Sequence, residues 1–65
     1  MPVVTVDMFE GRTKEQKRKI VEGITDVWVN MGVPAEQVHI ILRDVSKDNW
    51  GTAGVMASQK YPTNK

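Results

Sequence analysis

The sequence predicts an α/β fold: one βαβ unit with parallel strands, followed by a short C-terminal hairpin or strand. Three observations carry that reading. Residues 2–8 form a β-branched run whose Val4, Val6 and Met8 share one side, apolar residues recur at helical intervals between Ile20 and Met31, and residues 38–42 are apolar on both faces.

In the first strand, Val3, Thr5 and Asp7 take the opposite side, and Pro2 opens the element, where a strand tolerates proline. Phe9-Glu10-Gly11-Arg12 then breaks the alternation. Thr13 followed three residues later by Gln16 is a capping-box spacing, and Ile20, Val21, Ile24, Val27, Trp28 and Met31 make one stripe. Together they place a helix at 13–31, with Ile24, Trp28 and Met31 in the core. Gly32 is suited to the left-handed conformation that ends it, and Pro34 follows closely. The apolar 38–42 segment suits a central strand covered on both faces. Strand, helix and strand in this order form the crossover that makes the two strands parallel. Beyond it, Asp48-Asn49-Trp50-Gly51 and Gly54 supply turn chemistry around a short extended piece at 55–57, free to pair with a neighbouring subunit. The polar stretch 58–65 reads as a mobile tail of a single domain spanning 1–65.

Composition narrows the functional classes. Of 65 residues, 40% are hydrophobic and 26% charged, none is cysteine, and the net charge is +1. A disulfide framework and thiolate chemistry are excluded, and no apolar run approaches the ~20 residues of a membrane span. The balanced charge speaks against nucleic acid as a partner, and the absence of a signal segment points to a cytoplasmic protein. Lys14, Lys17, Arg18 and Lys19 crowd one stretch, but Glu15 at helical spacing marks a solvated face instead of a nucleic-acid patch. A chain this short buries only about 60% of its unfolded surface, so neighbouring subunits are expected to complete its core.

Conventional catalytic constellations are missing. One histidine cannot build a His-rich zinc site, and no glycine-rich loop joins a strand to a helix in phosphate-binding form; no metal or cofactor is expected. The remaining candidate base is Pro2, because removal of Met1 would leave a secondary amine. An ordinary α-amino group titrates at about 7.7–8.0, so desolvation or a nearby cation must draw this one down for it to act near neutrality. Arg12, just before the helix N-terminus, would form a carboxylate-binding corner together with the exposed helix N–H groups. Six strand steps at ~3.3 Å hold Pro2 and Arg12 roughly 20 Å apart in one chain. Antiparallel pairing of two subunits would bring Pro2 beside the partner's Arg12.

Met1-Pro2 at the head of a strand, Glu10-Gly11-Arg12 before Thr13-Lys14-Glu15-Gln16-Lys17, and Trp50-Gly51-Thr52-Ala53-Gly54 resemble the 4-oxalocrotonate tautomerase family over nearly the whole chain. The resemblance implies antiparallel dimers that assemble into a hexamer, a trimer of dimers, and cofactor-free keto-enol isomerisation of a 2-hydroxymuconate-like dienol or another carboxylated enol or 2-oxo acid. It implies that Pro2 is the general base, that a neighbour's Arg12 holds a substrate carboxylate, that the Phe9 backbone N–H donates to the 2-oxygen, and that Trp50 forms an apolar wall.

The best-known members carry a second arginine where this chain has His39. An ordinary histidine is mostly neutral at pH 7, so a second anionic group would be held less firmly. Arg43 shares that strand face, but four residues along is about 13 Å. His39 also reads as a hydrogen-bonding residue at a subunit boundary, and Trp50 as interface packing. Two other functions compete: a dehalogenase or hydratase-like relative on the same fold, and a non-catalytic oligomeric interaction module.

Overall fold

The computed structural model describes residues 1–61. In chain order it contains β1 (Val3–Phe9), α1 (Lys14–Asn30), β2 (His39–Val45), a hairpin of β3 (Gly51–Thr52) and β4 (Val55–Met56), and the single-turn helix α2 (Ala57–Lys60). One 3-10 turn at Ala35–Gln37 precedes β2 and another at Lys47–Asn49 follows it.

Local chemistry sets the limits of α1. The Thr13 hydroxyl accepts from the Gln16 N–H at 3.1 Å, and the Gln16 side chain accepts from the Thr13 N–H at 3.0 Å, so two donors with no helical partner are satisfied reciprocally. At the other end Gly32 has φ +100°, its N–H donates to the Val29 carbonyl at 2.9 Å, and the Val33 N–H donates to that of Trp28 at 3.1 Å. That pair of bonds is the Schellman closure, which needs the left-handed conformation that glycine adopts without strain. On the helix surface Arg18 bridges Glu15 and Glu22, and the hydrogen bond to Glu15, then the charge of Glu22, raise its pKa above the ordinary value.

The strands β1 and β2 run parallel, with Val3 opposite His39 and Phe9 opposite Val45. Val4, Val6 and Met8 share the half-buried face with Ile40 and Leu42, on the side of α1, and Lys17 of α1 reaches Asp44 at the far end of that face. The second strand runs three residues beyond the expected 38–42 because its polar end is paired: Asp44 meets Lys17, and Arg43 lies 3.6 Å from Asp7 across the strands.

The opposite face is uncovered. Val3 is 57% and Ile41 47% exposed, so the double covering expected of β2 is absent among the described residues of one chain. The helix stripe is likewise incomplete: Ile24 and Trp28 are half-buried, but Val27 and Met31 are exposed. Among the described residues only Ala57 is fully buried. The radius of gyration, 14.8 Å, exceeds the roughly 11 Å of a compact chain of this length.

Val55 and Met56 pair with Thr52 and Gly51 of their own chain, making the hairpin. Residues Ser58–Lys60, expected to begin a tail, belong to α2; 62–65 lie outside the described residues. Ala53 and Gly54 form the two-residue loop, with φ +55° and +77°. Positive φ at both positions defines a type I′ turn, whose first position favours Asn, Asp or Gly over Ala. Ala53→Asn should therefore raise the urea midpoint at fixed protein concentration, by up to about 1 kcal/mol of stability; a lower midpoint would show that the turn does not carry this strain.

Candidate functional site

The structure divides the candidate residues between the two ends of β1. Pro2 lies at the start, where its carbonyl accepts from the His39 N–H at 3.0 Å. The side chain of His39 shares the open sheet face with Val3 and Ile41. With Met1 attached, the Pro2 nitrogen is an amide and has no useful basicity; only its release creates an amine.

Phe9, Arg12 and Trp50 lie at the other end. The seven residues of β1 span about 20 Å, so one chain holds Pro2 and His39 apart from the other three. Gly11, with φ +115°, turns the chain from β1 toward α1 and leaves Arg12 exposed immediately before the Thr13 cap. Arg12 is absent from the ion pairs among the described residues.

The rings of Phe9 and Trp50 stack at 4.5 Å between centroids with an interplanar angle of 54°, and Tyr61 adds a third ring 6.1 Å from Phe9. The hairpin makes this possible. The Ala57 N–H donates to the Trp50 carbonyl at 2.7 Å, which closes the hairpin base and brings α2, and with it Tyr61, over the end of β1. The ammonium of Lys47 sits 5.5 Å from the Phe9 ring centre and donates to the Tyr61 carbonyl at 2.8 Å. Beside it runs a groove of about 370 Å³ lined by Glu10, Gly11, Ser46, Lys47, Asp48 and Ser58.

The backbone adds a directional element. The His39 N–H reaches the Pro2 carbonyl and the Glu10 N–H reaches that of Val45 at 3.0 Å, so even-numbered residues of β1 turn their polar groups to β2. Odd-numbered ones, Phe9 included, turn theirs to the other edge, where no described strand lies. The Phe9 N–H is therefore available at the end of a free sheet edge.

Lys47 and Tyr61 escaped the sequence reading. Lys47 lies in a polar turn stretch and Tyr61 in the expected tail, and only folding brings them to Phe9. Among the described residues no group of three or more His, Asp or Glu is placed to hold a metal ion, and none of their helices is long and apolar enough to cross a membrane.

Comparison with known proteins bears on this arrangement. A family model described as "Tautomerase enzyme" matches residues 2–60. The chain is 42% identical over 60 residues to a 2-hydroxymuconate tautomerase of Comamonas testosteroni, an alignment covering 91% of this chain and 95% of that one. It superimposes with a TM-score of 0.86 on a 4-oxalocrotonate tautomerase isozyme of Methylibium petroleiphilum, at 39% identity and covering 92% of this chain and 98% of the other. A chain solved in work on trans-3-chloroacrylic acid dehalogenase activity matches with a TM-score of 0.76 at 34% identity, covering 85% and 97%.

The Phe9–Trp50 stack is directly measurable. A double-mutant cycle of Phe9→Leu and Trp50→Leu in urea unfolding should give a coupling of about 0.5–1.5 kcal/mol. A coupling near zero would mean that the rings meet without mutual stabilisation.

Proposed function

This chain belongs to the tautomerase family, whose members are isomerases, and from that premise we propose that it interconverts keto and enol forms of a carboxylated dienol or 2-oxo acid, with Pro2 as general base. The observation that carries the reading is the separation of the candidate residues along β1. Pro2 and His39 form one half, and Phe9, Arg12 and Trp50 the other. Antiparallel pairing of two first strands along their free edges would set Pro2 of one chain beside Phe9 and Arg12 of its partner. The active centre would then form between subunits, in a dimer or in the trimer of dimers of a hexamer. The uncovered sheet face, and Ala57 as the single buried residue among those described, support association, because neighbouring copies would complete the core.

The chemistry is a proton relay within one substrate. The Pro2 amine takes the proton from the 2-hydroxyl of a dienol; the O–H pair becomes the C2=O bond, the C2=C3 pair moves to C3=C4, and the C4=C5 pair takes the proton back from the protonated amine to form a C–H bond at C5. Atoms and charge balance without a cofactor. Arg12 of the partner would hold the carboxylate bidentately and draw electron density toward it, while its charge favours the unprotonated amine. The Phe9 N–H would donate to the 2-oxygen as its negative charge develops. The Phe9–Trp50 wall would keep water from the amine, and His39 would border the Pro2 side.

The dehalogenase-study chain supports a second reading, water addition to a 3-haloacrylate, for which Glu10 and Asp48 are the carboxylates in the groove. Chloride release from 3-chloroacrylate would favour it over isomerisation.

Two substitutions test the leading reading. Pro2→Ala, or a chain in which Met1 is retained, should lower kcat for enol ketonisation, followed by ultraviolet absorbance, by at least about 10²-fold; unchanged rates in both would refute Pro2 as the base. Arg12→Ala should raise KM at least about tenfold for a carboxylated enol and little for an uncharged one. Equal loss on both would contradict its assigned contact.

A further inference from the structure

The geometry points to Lys47 as the residue of this site that recognises a second anionic group on the substrate, so that the enzyme binds dicarboxylates despite having His39 where the best-known relatives have an arginine. This rests on the reading that the Phe9 end binds the substrate, not on the identity of the base.

Three placements support it. The first is position. Lys47 follows Val45, the residue paired with Phe9, and its ammonium stands 5.5 Å from the Phe9 ring centre. The strand register thus delivers a cation to the end of the sheet that carries Arg12. The second is availability. Ion pairs among the described residues engage Lys17, Arg18 and Arg43, but not Lys47, whose hydrogen bond to the Tyr61 carbonyl uses one of three ammonium protons. Arg43, another cation toward this strand end, is held 3.6 Å from Asp7 on the open face. The third is the surroundings. Lys47 lines the groove with Ser46 and Ser58, whose hydroxyls can donate to an anion, while Glu10 and Asp48 in the same lining repel one. An anion in this groove would therefore have Lys47 as its one cationic partner among the lining residues.

His39 is the weaker candidate for this task. It would enter the shared site with Pro2 from the other chain, and an imidazole offers at most two N–H donors where an ammonium offers three. Lys47 lies on the same chain as Arg12, so both anionic ends of a reactant would be held by one subunit while the partner's Pro2 works between them.

The test uses two unreactive six-carbon dienes that differ in one carboxylate. Muconate has two and sorbate has one, and neither carries the 2-hydroxyl whose proton is moved. Calorimetric titration of the full-length protein should show tighter binding of muconate than of sorbate. Lys47→Gln should weaken muconate about fivefold and sorbate less than about twofold, as for loss of one partly exposed charge contact, and Lys47→Arg should keep muconate affinity. Near-ultraviolet circular dichroism checks that the Phe9–Trp50 stack survives in each variant. Equal weakening of both dienes by Lys47→Gln, failure of Lys47→Arg to preserve muconate binding with the stack intact, or no muconate preference in the unaltered protein would overturn the assignment. Neither diene needs a base, so inactivity traced to Pro2 would leave this result standing.

Discussion

The parallel register of β1 and β2 is the constraint on which everything else depends. It is pinned at one end by the His39 N–H on the Pro2 carbonyl and at the other by the Glu10 N–H on that of Val45. Between those bonds the strand cannot slip by one residue without turning Val4, Val6 and Met8 away from α1. The same register decides which backbone groups remain unpaired, and so leaves the Phe9 N–H on a free edge. It also fixes the length of β1, and with it the distance between the two groups of candidate residues. No side-chain rotation closes about 20 Å.

Stability and chemistry are linked through that geometry. A two-stranded sheet packed on α1 has a second apolar face that none of the described residues covers, and β-branched Val3 and Ile41 stand exposed on it. On this account two surfaces of the chain associate: edge-to-edge pairing of first strands would bring the two ends of β1 together, and packing of the open face against further copies would complete the core. The C-terminal segment works differently, since it completes a local structure: its hairpin closes on Ala57, and its aromatic and cationic side chains gather at Phe9.

The elements with strong local signals were legible in the sequence. Thr13 and Gln16 announced the start of α1, Gly32 its end, and both caps form as their spacing requires. The end of β2 was hidden because Arg43 and Asp44 look like a polar stop, and their partners, Asp7 and Lys17, lie far away in sequence. The turn at Ala53 was hidden for the opposite reason: alanine carries no signal for positive φ, and the hairpin imposes it. Within the site, the residue types Pro2 and Arg12 suggested chemistry before any fold was known. Lys47 and Tyr61 had no such pattern, because their meeting with Phe9 depends on how residues 47–61 fold back over the end of β1.

The central claim is that each active centre takes its base from one chain and its carboxylate-binding arginine from another. Subunit mixing addresses it most directly. Pro2→Ala and Arg12→Ala proteins, each nearly inactive alone, are unfolded together and refolded in equal amounts. If the site is shared, random pairing should restore about a quarter of the unaltered protein's activity, because half of the dimers are mixed and each of those has one intact centre. If both residues act within a single chain, the mixture will be no more active than its two components.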